Sequence, residues 1–513
     1  MRNDKRIRLW PLGLVLALAA SATGLTWVLG LGRQRQDRVL YTGTIVVATA
    51  LAAFLWFLLF SRLRWRIRLT GLLLVSVLGA GAYYWVRVEA VSGDLVPSFR
   101  WVWSEPRDAK LSGLETGTVD TGARASASEF DFPGYLGANA DGTVDGVRLA
   151  RDWAAHPPRE VWRREIGSGW SGFAIAGDFA VTQEQRGDEE RTTCHDLRSG
   201  EILWSHVEAV RHDEPLGGPG PRATPAISGE RVFSLGATGI LNALDLRSGE
   251  PIWRVDLIEV AGARRPEYGF SASPVVHDGR VVVVAGGGGG RSLWAFDELT
   301  GEPAWSGGNA PYGYATPVLG VVAGREQWVT LSEGSVNGIA ADDGTLLWSQ
   351  AWPQPTEETV QPKLLSGDRV LVSSGYGVGA KMYRLHASDH GIAVETLWES
   401  IRLKAKFSDF VIHGDHVYGL DDGILTAVSL ADGSRSWKRG RYGHGQLLLV
   451  GNLLLIQAAD GSVALVAARP DEYIEHGRID VLHGKTWNHP ALSGSLFLVR
   501  NDREAVLLEL ALE

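Results

Sequence analysis

The chain has 513 residues, 50 Lys plus Arg against 59 Asp plus Glu, a net charge of −9 and a single cysteine. Residues 1–100 hold 13 basic and 4 acidic side chains, so the rest of the chain is strongly acidic, which excludes nucleic acid as partner of the main body and electrostatic docking of that body onto anionic lipid. The lone Cys194 excludes an intramolecular disulfide.

Leu9–Leu31, Val39–Phe60 and Leu69–Val86 are apolar runs without Asp, Glu, Lys or Arg, each long enough or nearly so to cross a bilayer. They predict an α-helical membrane anchor over 1–86, with cleavage of the first run as a signal peptide the alternative. Arg2, Lys5, Arg6 and Arg8 precede the first run and Arg62, Arg64, Arg66 and Arg68 follow the second, against Arg33, Arg35 and Arg38 between them. That bias places the leader and second loop in the cytoplasm. Three crossings then leave the remainder outside the inner membrane, in the periplasm of a Gram-negative-like cell.

Residues 87–129 show little periodic apolar content and read as a juxtamembrane linker. Residues 130–159 carry aromatics, turn residues and a short amphipathic stretch around Val147–Trp153, the pattern of a strap packed on the following domain. Asn139–Asp145 resembles a calcium loop but lacks the EF-hand spacing and its terminal Glu, so no metal site is expected there.

From Trp162 onward, tryptophans recur at Trp204, Trp253, Trp305, Trp348, Trp398 and Trp437, roughly 39 to 52 residues apart. Five segments share one frame, CHDLRSGEILW, ALDLRSGEPIW, AFDELTGEPAW, GIAADDGTLLW and AVSLADGSRSW, with Gly four residues before Trp in each. Between them lie β-branched runs broken by Gly-Asp or Gly-Glu turns, such as RVFSLGA, RVVVVAG and RVLVSSG, which predict antiparallel hairpins rather than helix pairs. Ala340 and Ser429 stand where the other three have Asp. Cys194 takes the small Ala position and reads as packing. The glycine run Ala285–Arg291 lacks the Lys-Ser/Thr of a phosphate loop and reads as a hairpin connection.

This Ala-x-Asp-x-x-Ser/Thr-Gly-x-x-x-Trp pattern resembles the repeat of the pyrroloquinoline quinone (PQQ)-like propellers, over residues 130–513. The family includes quinoprotein dehydrogenases and the cofactor-free propeller lipoprotein of the outer-membrane barrel assembly machinery. The resemblance implies an all-β eight-bladed β-propeller, here preceded by the α-helical anchor. Counting blades predicts that Glu160–Ile166 closes the last one as its outer strand.

Segments leading into each innermost strand ring the propeller's channel mouth. They concentrate aromatic and basic residues, Trp170, Arg222, Tyr268, Tyr312, Tyr314, Lys404, Lys406, Arg441, Tyr442, His444, Lys485 and Trp487, joined by Asn488. Cations that pair with carboxylates and rings that stack suit an anionic planar molecule, an acidic peptide or a sugar. The expected function is therefore a membrane-anchored binding or scaffolding module for an envelope protein, peptide or glycan, without a cofactor. The alternative is a PQQ- and calcium-dependent quinoprotein oxidoreductase acting on sugars or alcohols, whose family ligands would have to come from Asp409 and Asn488. Catalytic residues are not assigned.

Overall fold

The structure, a computed structural model, describes residues 9–32, 35–91, 95–111, 128–287, 289–353, 358–389 and 391–513. The basic leader, Arg33 and residues 92–94 and 112–127 of the expected linker lie outside them. Two compact units result, one formed by the described residues up to Glu105 with Pro215–Gly218 and the other by Pro106–Glu214 with Pro219–Glu513.

In the first unit, Trp10–Val28, Arg35–Phe60 and Trp65–Trp85 are helices long and apolar enough to cross a membrane. Their apolar side chains point outward almost throughout, the inverse of a water-soluble bundle and the pattern a lipid solvent requires. Trp27 donates to the Thr42 hydroxyl at 3.0 Å between the first two helices. Arg68, at the start of the third, donates to the Leu58 carbonyl at 2.8 Å.

The second unit is an eight-bladed propeller of antiparallel meanders. Blade 1 runs outward through Ala174–Ala176, Phe179–Arg186, Glu189–Asp196 and Ile202–Glu208. Blades 2 to 7 begin at Ala226–Ser228, Val275–His277, Val318–Val322, Lys363–Leu365, Val411–His413 and Gln446–Val450. Blade 8 has Ala491–Ser493, Leu496–Arg500 and Glu504–Glu509, and its outer strand is Arg159–Glu165 from the start of the unit. The closure expected from sequence is thus present. Because neighbouring blades cover both faces of each sheet, the second strands read as unbroken apolar runs; Val281, Val282, Val283 and Val284 are all buried.

The repeat residues form one lock used around the ring. The small residue opening each motif pairs directly across from its Trp: Cys194 with Trp204, Ala243 with Trp253, Ala295 with Trp305, Gly338 with Trp348 and Ala427 with Trp437. Most of the outer-strand rings then reach the next blade's turn, whereas Trp348 Nε1 donates within its own blade to Gln327 Oε1 at 2.6 Å. Trp162 Nε1 donates to Leu197 O at 2.9 Å, Trp204 to Leu246 O at 2.8 Å, Trp253 to Glu298 O at 3.1 Å and Trp398 to Leu430 O at 3.0 Å. The motif Gly of that turn lies under the ring, so its left-handed conformation and the close approach both demand glycine.

The motif Asp organises the same turn. Asp245 Oδ1 accepts from Arg247 N, Ser248 N and the Ser248 hydroxyl at 2.8–3.0 Å, and Asp196 and Asp297 do likewise. Where Ala340 and Ser429 interrupt the pattern, Asp343 accepts from Thr345 N at 2.9 Å and Asp432 from Ser434 N at 3.0 Å. The acceptor has moved three residues along the turn and the turn survives.

Residues 130–153 form a strap that enters the channel from the end where first and second strands turn. Phe132 bridges to Ile175, Pro133 O accepts from Ile227 N at 2.7 Å, and Leu136 is fully buried. Thr143–Val144 then adds a parallel strand to the innermost strand of blade 7, and Leu149 bridges to Leu512 beside blade 8. One segment thereby contacts widely separated blades. In the calcium-like loop, Asn139 donates to Asp145 at 3.1 Å and Asp141 accepts from Thr143 N at 2.8 Å, which are the bonds of a turn.

Candidate functional site

The segments leading into the innermost strands cannot pair as strands, because consecutive blades are rotated about the axis. Their polar groups are instead joined from blade to blade by side chains. Gly172 N donates to Thr224 Oγ1 at 3.0 Å, Thr224 N to Ser273 Oγ at 2.9 Å and Ser273 N to Thr316 Oγ1 at 2.9 Å. Gln361 N donates to Asp409 Oδ1 at 2.9 Å, Gln457 to Asn488 O at 2.6 Å, and Asn488 Nδ2 to Gly169 O and Ser171 O at 3.1 and 2.8 Å. This buried belt holds the channel wall and presents the residues just before it on the outer, loop-bearing face.

There the structure assembles a cation–aromatic cluster from five blades. The Lys485 ammonium lies 3.5 Å from the centre of the Trp487 ring and 4.7 Å from that of Trp170. Trp487 meets Phe407 at 5.1 Å, and Phe407 meets His444 at 5.8 Å and Tyr376 at 6.4 Å. Lys406 sits 4.3 Å over Tyr376 and 5.2 Å over Phe407. Trp170, Trp487, Phe407, His444 and Tyr376 are half-buried, so their faces are shared between protein and solvent. Burial pulls the Lys485 ammonium down to about 7; Asp502 opposes the shift and Arg222 adds to it. The same cause, burial first and then Lys406, takes His444 down to about 3.

A second group lies on blades 2 to 4. Tyr314 meets Tyr268 at 5.7 Å and Tyr312 at 5.1 Å, and Arg222 pairs with Glu214 at 3.2 Å. Tyr312 is structural at its tip, since its hydroxyl accepts from Ser271 N at 2.7 Å. Beside them Glu190 is buried and accepts from Ala237 N at 3.1 Å. Burial raises it to about 7, against the Ala237 N–H and with Glu208 adding to the rise.

The remaining sequence candidates stand elsewhere for clear reasons. Lys404 turns away to Asp421, and to Asp422 at 3.2 Å. Arg441 is exposed at the end of blade 6's outer strand. Tyr442 is buried with its hydroxyl on Tyr473 at 2.8 Å and Glu475 at 2.5 Å, and Asn488 belongs to the belt. Phe407 and Tyr376 were not among the sequence candidates, although Phe407 lies one residue from Lys406. Tyr376 is in a second-to-third-strand turn, where repeat counting gave no signal.

Glu190 carries a pH prediction. Its folded value lies above the ordinary 4.5, so the stability it contributes is complete below about pH 4.5 and is lost as pH rises through about 7. Glu190→Gln keeps an acceptor for Ala237 N and removes the ionisation. Denaturant unfolding of the full chain in detergent should find the variant more stable by up to about 3 kcal/mol at pH 8, with the gap narrowing toward pH 5. A gap that does not change with pH would show that Glu190 is not the titrating group.

The quinone and calcium of the alternative reading do not fit these residues. Asp409 is buried, with Oδ2 held by the Tyr135 hydroxyl at 2.6 Å and Oδ1 by Gln361 N. Asn488 spends its amide on two carbonyls of blade 1's lead-in. Among the described residues, no three His, Cys, Asp or Glu side chains gather as a metal site. The Trp170 and Trp487 rings are tilted 42° to each other, with the Lys485 ammonium over both.

Residues 188–439 match the family model PQQ_2, described as outer membrane protein assembly factor BamB. A search of the curated proteins gave no match. Among solved structures, BamB from Moraxella catarrhalis superposes at a TM-score of 0.50 with 15% identity, over 69% of this chain and 99% of that one. Quinohemoprotein alcohol dehydrogenase from Comamonas testosteroni gives 0.53 and 12%, over 75% and 82%. Quinohemoprotein alcohol dehydrogenase ADHIIG from Pseudomonas putida HK5 gives 0.54 and 13%, over 77% and 83%. At these identities the likeness is one of fold. With the tryptophan repeat, the eight blades and the match over 188–439 in hand, the ring is an eight-bladed β-propeller that is similar over those residues to the PQQ_2 family model and shares its fold with BamB and the quinohemoprotein alcohol dehydrogenases.

Proposed function

We propose that this protein is a binding or scaffolding module of the cell envelope: helices over 1–86 anchor it in the inner membrane, a linker follows to residue 129, and the propeller faces the periplasm. The observation that carries the reading is the Lys485–Trp170–Trp487–Phe407–Lys406 cluster on the loop-bearing face. Lys485, half-buried, and Lys406, buried beneath Tyr376 and Phe407, lie against ring faces, a geometry that offers an approaching carboxylate the Lys485 ammonium and a positive field from Lys406, and its carbon skeleton an apolar bed. An acidic peptide segment of an envelope protein fits both halves of that surface, and a glycan with carboxylates fits them as well. The asymmetry of the ring supports the choice of face, since the strap occupies the channel from the other end. The basic loops flanking the first two apolar runs support the orientation.

Lys485 gives the reading a thermodynamic signature. With the ammonium pulled down to about 7, an anion seated beside it restores the charged form, so binding at pH 8 takes up a proton. Calorimetry of an oligoglutamate peptide with the full chain, in buffers of different ionisation heat, should show that uptake, and Lys485→Met should abolish it. Loss of both Lys485 and Lys406 should weaken binding by about tenfold or more.

The biological test is photocrosslinking in the envelope from positions 487 and 407, with Val321, exposed on the innermost strand of blade 4, as control. Adducts at 487 and 407 but not at 321, lost with Lys485→Ala and Lys406→Ala, support the module. Absence of adducts together with saturable one-to-one binding of PQQ and calcium would replace it with the oxidoreductase.

A further inference from the structure

The third apolar helix is continued by regular structure. At Trp85 it passes directly into a two-stranded antiparallel hairpin, Val86–Val91 paired with Pro97–Trp101. The register places Val86 opposite Trp101 and Val88 opposite Phe99, with Arg87 opposite Arg100 between them. Since side chains alternate between the faces of a strand, the two valines, Phe99 and Trp101 share one face and the two arginines share the other. Trp103, two residues on, stacks on Trp101 at 5.0 Å with the rings 9° from parallel, and Trp85 meets Trp103 edge-on at 6.2 Å.

This apolar face is uncovered. Val88 is 47% exposed, Phe99 62%, Trp101 52% and Trp103 66%. Tyr83 and Tyr84, in the helix's last turn, are exposed as well. An isolated two-stranded hairpin is at best marginally stable in water, so a face of this kind needs a cover.

We propose that the hairpin is an interfacial anchor whose aromatic face lies in the headgroup layer of the leaflet from which the third helix emerges. The inference rests on reading the three helices as membrane-spanning. Continuity argues for lipid as the occupant: the face begins at the residue where an apolar span ends. Tryptophan and tyrosine favour the headgroup level, where the ring is buried and its N–H or O–H stays wet. The depth is set by the backbone. A two-stranded sheet leaves both outer edges unpaired, which the hydrocarbon core forbids and the hydrated interface tolerates. The arginines suit the same placement. Arg87 donates to Tyr83 O at 3.0 Å and Arg100 to Ser104 O at 3.0 Å, which holds both guanidinium groups near the strand ends, where lipid phosphates lie.

The test uses the full chain in vesicles of phosphatidylcholine and phosphatidylglycerol. In a Cys194→Ala background, nitroxide labels are placed one at a time through Phe99→Cys, Trp101→Cys, Trp103→Cys and Val88→Cys. Arg87→Cys reports the other face, Leu73→Cys the third helix, and Thr345→Cys an exposed propeller turn. The expected result is a ratio of oxygen to nickel-complex collisions several-fold higher at 88, 99, 101 and 103 than at 345, but below that at 73, with 87 close to 345. Using four sites guards against one substitution disrupting the hairpin. Water-like values at all four, with 73 in lipid, would overturn the proposal while leaving the anchor intact. Dipolar broadening between copies at 101 with little collision of either kind would assign the face to a second copy and overturn it too. A water-like label at 73 would remove the anchor reading itself.

Discussion

Arg500→Ala is expected to open the ring at the seam between blade 8 and blade 1. Arg500 ends the second strand of blade 8 and is fully buried. Its Nη1 donates to Thr182 Oγ1 at 2.7 Å and to Gln183 O at 2.9 Å, and its Nη2 to Gly167 O at 3.1 Å, all in blade 1 or the segment leading to it. Glu184, also buried, pairs with Arg186 at 2.8 Å and accepts from Gly167 N. Burial drives the Arg500 guanidinium down to about 10 while Glu184 opposes the shift, so the cation stays charged at neutral pH and depends on these acceptors.

Removing the side chain takes the donor from the three acceptors across the seam and from Asn501 O in its own blade, and leaves an empty volume beside Phe173. The expected loss is about 3 to 5 kcal/mol, read as a lowered unfolding midpoint of the full chain in detergent by tryptophan fluorescence. Arg500→Lys should recover part of it, because a single ammonium supplies charge but not the fork that spans blade 1 and its lead-in. Limited proteolysis should cut the alanine variant first between 159 and 174, the chain that crosses the seam. A change below about 1 kcal/mol would place it among ordinary surface substitutions and show that strand Arg159–Glu165 alone closes the ring.

The ring was legible in sequence because its determinants are local and repeated. Trp204 and Gly200 are four residues apart in one turn, and five such pairs establish a period that one alone could not. Closure by residues 160–166 followed from counting, since seven complete blades and three strands leave one outer strand missing. The candidate site was legible only in part. Lys485, Trp487 and Trp170 stand in the lead-in segments where aromatics and cations were expected. Nothing in the local sequence separates them from Lys404 or Tyr442, whose partners Asp421 and Glu475 come from other strands. The belt of Thr224, Ser273 and Thr316 was missed because each member bonds across blades, and a Ser or Thr before Pro looks like any turn; Asp409 was named as a ligand candidate, whereas its carboxylate holds the belt through Gln361 N. The hairpin after Trp85 did carry a signal, apolar residues at 86 and 88 and at 99, 101 and 103, but alternation over so few residues was outweighed by the flanking Ser, Gly and Asp.

The second large effect concerns the motif glycine. Gly249→Ala should destabilise the ring far more than a glycine-to-alanine change at an equally left-handed turn elsewhere. Gly249 has φ +72°, and a Cβ there would stand 2.5 Å from the Trp204 ring. The ring cannot yield without losing its packing and the 2.8 Å bond from Trp204 Nε1 to Leu246 O. Gly279 has φ +68° with nothing within 4 Å of such a Cβ. Gly279→Ala therefore carries only the conformational cost, about 1 kcal/mol, whereas Gly249→Ala adds overpacking for a total of about 3 kcal/mol or more. Unfolding midpoints of the two variants separate backbone strain from collision with the ring. A double-mutant cycle then isolates the contact: in a Trp204→Ala background the cost of Gly249→Ala should fall to that of Gly279→Ala. Equal costs in both backgrounds would mean that Gly four residues before Trp is retained for its φ alone. A collapsed cost would mean that the spacing records a contact between neighbouring blades, Trp204 being seated on Gly249 of the next.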